Sequence, residues 1–118
     1  METHTMNLYH LDLGSDAPDT VTCVIEVPRN STNKYEYDPE RQLFVLDLVL
    51  YSAMHYPGDY GFLPGTLAED GDPVDVLVIT PVPLVPGAVV TCRPLGMLRM
   101  DDEAGGDNKL LAVPIDKK

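Results

Sequence analysis

Apolar residues fall in short runs between turn-forming clusters, and no stretch repeats with a helical period. The run from Thr20 to Val27 is rich in β-branched residues, stops at Pro28 and predicts a strand. Arg29 to Asn33 is a turn cluster. Lys34-Tyr35-Glu36-Tyr37 alternates charged and aromatic residues. That pattern predicts a short strand with one wet face, Lys34 and Glu36 sharing a side, closed by Asp38-Pro39. Leu43 to Leu50, broken only by Asp47, predicts another strand. Residues 57–73 are dense in Gly, Pro and Asp and read as a long loop without regular structure, a kind of loop that is often functional. Val74 to Thr80 predicts a buried strand, and Pro81 to Gly87 a rigid connection. Ala88 to Met100 predicts a long strand bent near Pro94 and Gly96. An acidic loop follows over 101–108, then a last strand from Lys109 to Val113 before Pro114.

Residues 1–20 are polar and irregular, with a short turn around Leu11 to Gly14, and read as a peripheral segment. No internal repeat, low-complexity tract or linker divides the chain, so residues 1–118 read as one domain. Six or so short strands with frequent turns predict a mainly β fold, an antiparallel barrel or sandwich.

Composition narrows this picture. With 118 residues and 44% hydrophobic content, the chain can bury a single core. It has no run of about eighteen apolar residues and no basic-then-apolar start, so neither a membrane helix nor a secretory signal is expected. The expected location is the cytoplasm. Cys23 and Cys92 lie in β-patterned stretches without metal-ligand spacing and read as buried free thiols. The formal net charge of −11 repels nucleic-acid backbones and anionic membranes, which are excluded as partners, and attracts cations.

The positions of the aspartates carry the chemistry. Asp70, Asp72 and Asp75 fall within Asp70-Gly71-Asp72-Pro73-Val74-Asp75. Like charges this close are costly unless water or a cation compensates. Gly71 and Pro73 favour a tight turn, and carboxylate oxygens are the ligands that hard divalent ions prefer. A solvated acidic turn would look the same from spacing alone. An EF-hand loop starting at Asp70 fails, because its glycine position is Asp75 and its final glutamate position is Pro81. A second acidic cluster, Asp101 to Asn108, ends beside Lys109, a cation that could hold an anion bound by metals. Tyr56 and Tyr60 flank the Pro57-Gly58-Asp59 turn, and a phenol there could pack or donate to a phosphate oxygen.

Five blocks together resemble the family I soluble inorganic pyrophosphatases, especially the bacterial ones. They are Val24-Ile25-Glu26-Val27-Pro28, Lys34-Tyr35-Glu36, the stretch Tyr51 to Gly61, Asp70 to Val76 with its D-x-D-P-x-D signature, and Asp102 to Lys109. The resemblance runs from about Val24 to Pro114. It implies a closed five-stranded OB-like barrel and an inorganic diphosphatase that hydrolyses pyrophosphate to two phosphates. It implies several Mg²⁺ ions per site, with Mn²⁺ as a substitute, and a homo-oligomer, a hexamer in the family. By the same resemblance Asp70, Asp75 and Asp107 are metal ligands, with Asp102 and Glu26 serving further ions. Asp72 is the general base. Lys34, Tyr60 and Lys109 bind phosphate, and Glu36 and Tyr56 lie near the site.

Two departures from the family pattern stand out. Leu48 occupies the place of an arginine that contacts phosphate. Losing one such charge-assisted contact costs roughly 1.5–3 kcal/mol, about ten- to a hundredfold in binding. The chain also stops at Lys118, where the family goes on to a long helix packed on the barrel, so the expectation is a truncated member. The alternative to an active hydrolase is therefore a weak or inactive metal- or phosphate-binding relative.

Overall fold

A computed structural model describes residues 7–49, 58–68, 71–99, 101–102, 105–106 and 108–115, with only the backbone pairing of 101–102 and 105–106. Among the described residues, nine strands follow one turn of 3₁₀-helix at Leu8–His10. They are β1 (Val21–Val27), β2 (Asn33–Asp38), β3 (Leu43–Val49), β4 (Asp59–Leu63), β5 (Val74–Val78), β6 (Val89–Leu98), β7 (Asp101–Asp102), β8 (Gly105–Gly106) and β9 (Lys109–Pro114).

Five strands close a barrel in the order β1-β4-β5-β9-β6, as the mainly β reading and the resemblance both imply. The barrel is mixed rather than purely antiparallel. β5 and β9 run parallel, with Asp75 opposite Lys109, while the other four seams are antiparallel. β2 and β3 form a separate hairpin, and β7 and β8 a small one within the stretch read as an acidic loop. The bend expected in the long strand is a register shift in β6 between Pro94 and Gly96.

β1 explains the layering. Val21, Cys23 and Ile25 point into the barrel with Val76, Val78, Cys92 and Ala112. Alternate residues point outward, and there Val24 meets Phe62 and Tyr37 in a second cluster. The strand is thus buried on both faces, which is why its apolar residues do not alternate strictly with polar ones. Leu8, Tyr9 and Leu11 pack on the second cluster, so this part of the N-terminal segment lies against the barrel. Three apolar residues spaced irregularly among polar ones carry no periodic signal of that packing. Cys23 and Cys92 are free thiols with no exposed surface.

The loop expected over 57–73 is overturned at its start, where β4 runs through the barrel wall between β1 and β5. Its glycines mimic a loop composition for a packing reason. A Cβ on Gly61 would collide with the Val24 carbonyl, and one on Gly58 with that of Val78. β4 begins at Asp59, a fully buried carboxylate. It accepts from the Arg29 N–H at 2.6 Å, the Thr80 hydroxyl at 3.1 Å and the Leu84 N–H at 3.1 Å. The Arg29 guanidinium in turn donates to the carbonyls of Thr80 and Pro81.

Gly61→Ala is expected to destabilise the fold by about 3 kcal/mol, because backbone must move to admit the methyl group. Urea unfolding measures this, and a midpoint equal to that of the parent chain contradicts it.

Candidate active site

The outer face of the barrel carries the candidate chemistry. Phe62, Asp75 and Lys109 are successive register partners across β4, β5 and β9. Tyr60 lies two residues before Phe62 and shares its face. Lys109 is buried, and its Nζ donates to the Tyr60 hydroxyl at 3.2 Å and stands 3.5 Å from Asp75 Oδ2. It also lies 4.6 Å from the centre of the Tyr60 ring, within cation–π range. Three neighbouring strands therefore hold a cation, a phenol and a carboxylate in contact.

Glu26 joins this group from β1. The register of β1 on β4 slips between Ile25 and Val27, so Glu26 is the bulged residue. A bulge re-aims a side chain, and here the carboxylate leaves the barrel wall to accept the Tyr37 N–H at 2.9 Å. Only 8% of Glu26 is exposed. Burial, then the nearby charges of Asp75 and Glu36, raise its pKa from an ordinary 4.5 to about 7, although the Tyr37 N–H and Lys34 pull the other way.

Across from the barrel, Lys34 and Glu36 of β2 face the same space, as alternation along a strand requires. Asp72 enters from the turn before β5. Its backbone carbonyl accepts the Ala68 N–H at 2.7 Å, and the Val74 N–H donates to the Thr66 hydroxyl at 2.9 Å. These groups enclose a cavity of about 190 Å³. A second cavity, about 400 Å³, opens next to it between the β2–β3 hairpin and the acidic turn. Tyr9, Glu36 and Asp72 line both.

A profile of the family described as inorganic pyrophosphatase matches residues 23–118, from β1 through β9. The chain belongs to the inorganic pyrophosphatase family. It is 58% identical to the inorganic pyrophosphatase of Thermus thermophilus over 107 residues, 91% of this chain and 61% of that protein. It is 49% identical to that of Caulobacter vibrioides over 113 residues, 95% of this chain and 64% of the relative. The crystal structure of inorganic pyrophosphatase from Thermus thermophilus matches with a TM-score of 0.87 at 55% identity, over 95% of this chain and 64% of that one. The chain thus spans about three-fifths of the length of these pyrophosphatases.

Of the residues singled out by sequence, Glu26, Lys34, Glu36, Tyr60, Asp72 and Asp75 line one cavity, with Lys109 in contact with two of them. Tyr56, Asp70 and Asp107 lie outside the described residues, and Asp102 is described only by its pairing with Gly105. Among the described residues no three acid, histidine or cysteine side chains stand together as a complete metal-ligand set. The donor chemistry nonetheless suits a hard divalent ion: carboxylate oxygens only, one of them buried at an energetic cost that a cation would relieve. Among the described residues no helix is long and apolar enough to cross a membrane.

Leu48 is the cross-strand partner of Lys34 on β3 and is 52% exposed. Cross-strand partners share a face, so this leucine stands beside a lysine that lines the cavity. Sequence reasoning missed two neighbours. Asp47, next to Leu48, pairs with Lys34 at 3.7 Å and lines the larger cavity. Tyr9 reaches the site from a segment with no motif to mark it.

In the metal-free protein, Glu26 protonates near pH 7 when folded and near 4.5 when unfolded. Between those values the fold binds more protons than the unfolded chain, so stability falls as pH rises through this window and stays lower above it. At about 1.4 kcal/mol per pKa unit the penalty is on the order of 3 kcal/mol. Glu26→Gln keeps an acceptor for the Tyr37 N–H and removes the charge. It is expected to stabilise the protein in EDTA by about 2–3 kcal/mol at pH 8 and far less at pH 5. Thermal unfolding at the two pH values checks this, and an equal effect at both contradicts it.

Proposed function

We propose that this chain hydrolyses inorganic pyrophosphate to two phosphates with Mg²⁺ held among its carboxylates. The observation that supports this most is the Asp75–Lys109–Tyr60 contact facing Glu26, Lys34, Glu36 and Asp72 around one cavity, in a chain of this family. Pyrophosphate is densely anionic, so a site for it needs cations in excess of those that Lys34 and Lys109 supply.

In this reading Asp75 and Glu26 hold Mg²⁺, with Asp70, Asp102 and Asp107 completing the ligand set by resemblance. Bound Mg²⁺ supplies positive charge to the phosphate oxygens and acidifies water, and Mn²⁺ can replace it. Asp72, exposed at the mouth of the cavity, takes or orients the proton of the attacking water. Lys34 and Lys109 act as point charges on phosphate oxygens, and the phenols of Tyr60 and Tyr56 donate hydrogen bonds to them. Glu36 sets the field around Lys34. The water oxygen bonds to one phosphorus, the bridging P–O bond breaks, and the second phosphate leaves with that electron pair. This is positioning plus electrostatics, as phosphoryl transfer generally is. Exposed Val89, Leu95 and Met97 on β6 support self-association as part of the same reading.

Leu48 favours a second reading, in which the chain binds metal and phosphate but turns over slowly. Phosphate release with millimolar Mg²⁺ separates the two. Hydrolysis is expected from the parent chain, with Asp72→Asn lowering kcat about a hundredfold and Leu48→Arg tightening substrate binding about tenfold. Full activity in Asp72→Asn removes the assigned base. No phosphate release from any variant, with Mg²⁺ still bound, favours the second reading.

A further inference from the structure

β1 changes its register with β4 at one point. Ile25 faces Gly61, yet Val27 faces Tyr60, so Glu26 is left over between them. An unshifted register would set Glu26 opposite Tyr60, within the ladder. The slip instead lets its carboxylate accept the Tyr37 N–H of the hairpin at 2.9 Å. The slip needs a hold beyond the ladder, because Pro28 follows Val27 at once and has no N–H to give. The next donor, the Arg29 N–H, goes to the Asp59 carboxylate at 2.6 Å. A side chain thus takes over where the ladder stops.

Both sides of this bond are fixed. Asp59 is fully buried, and its second oxygen accepts the Thr80 hydroxyl and the Leu84 N–H, each at 3.1 Å. Arg29 lies two residues past β1 and Thr80 two past β5, while Asp59 opens β4. One carboxylate therefore ties the ends of the three strands that carry Glu26, Tyr60 and Asp75. On the β1 side, the Ser31 N–H donates to the Pro28 carbonyl at 3.1 Å, and Asn30 has a φ of 64°. That is the geometry of a type II turn with Arg29 as its second residue.

We propose that Asp59 is a positioning residue for the site: by accepting the Arg29 N–H it locks the register slip that aims Glu26 at the hairpin and leaves Tyr60 in reach of Lys109. The inference rests on the reading of Glu26 and Asp75 as Mg²⁺ ligands given above. Arg29→Pro removes the N–H, and proline is favoured at the second position of this turn, so the turn is kept. Arg29→Ala keeps the N–H and loses the guanidinium with its bonds to the Thr80 and Pro81 carbonyls. Amide hydrogen exchange in EDTA, read by NMR, and calorimetric Mg²⁺ titration test it together.

Relative to the rest of the hairpin, the Tyr37 amide is expected to exchange about tenfold faster in Arg29→Pro and within about twofold of the parent in Arg29→Ala. Mg²⁺ should bind about fivefold more weakly to the Pro variant and within about twofold of the parent to the Ala variant. A general loss of stability would speed all hairpin amides alike in both variants, and that outcome overturns the proposal. Unchanged Tyr37 exchange in Arg29→Pro overturns it too. Should the Pro variant fail to fold, the parent decides. One opening releases both bonds, so the Arg29 and Tyr37 amides are expected to show protection factors within about threefold of each other. A Tyr37 amide protected about tenfold less than that of Arg29 overturns the lock. If Mg²⁺ does not bind the parent, the metal reading of the site falls, and the exchange comparison still decides whether Asp59 holds Glu26 in place.

Discussion

Glu26 sits where β1 bulges, and its carboxylate accepts the Tyr37 N–H across the gap between barrel and hairpin. That single bond sets the distance between the two faces of the site. On one side of it lie Tyr60, Asp75 and Lys109, carried by the barrel wall. On the other lie Lys34 and Glu36, carried by a hairpin that, among the described residues, has no strand pairing with the barrel. The second apolar cluster, Val24 with Tyr37 and Phe62, presses the two together but has no direction of its own. The hydrogen bond supplies the direction. Its energetic penalty is a buried carboxylate among other carboxylates, the kind of local conflict that proteins retain where function uses it.

The charges around the cavity follow from the same arrangement. Four carboxylates, those of Glu26, Glu36, Asp72 and Asp75, share the space with Lys34 and the buried Lys109. An anion approaching this site alone meets net negative charge. A divalent cation is attracted by the same charge, and its binding would reverse the local field for an anion that follows. Leu48 matters in this balance because it sets an uncharged side chain opposite Lys34 on the hairpin. Asp47, which pairs with Lys34, shifts the balance further toward negative charge.

Much of the barrel was legible in the chain because burial on one or two faces leaves a periodic trace. β1, β5 and β9 read as strands from their apolar runs, and the bend of β6 from Pro94 and Gly96. β4 was not legible. Gly58 just before it and Gly61 within it let carbonyls of neighbouring strands approach, and composition cannot distinguish that from a turn. The parallel seam between β5 and β9 is a long-range fact with no local signature. In the site, Lys34, Glu36, Asp72, Asp75 and Lys109 stood in motifs dense enough to notice. Asp59 read as part of a Pro-Gly-Asp turn, yet three donors from distant segments make it a structural carboxylate. Tyr9 gave no signal, because a lone tyrosine in a polar segment has a partner only once the chain has folded back onto Phe62.

The central physical claim is that this is a cation site first and a phosphate site second. Linkage makes that measurable, since each ligand must strengthen the other by the same factor. Calorimetric titration of orthophosphate into the EDTA-treated protein, repeated at saturating Mg²⁺, measures it directly. Phosphate is expected to bind at least about tenfold more tightly with Mg²⁺ present, with the gain lost in Asp75→Asn. Equal phosphate affinity with and without Mg²⁺ would contradict the claim.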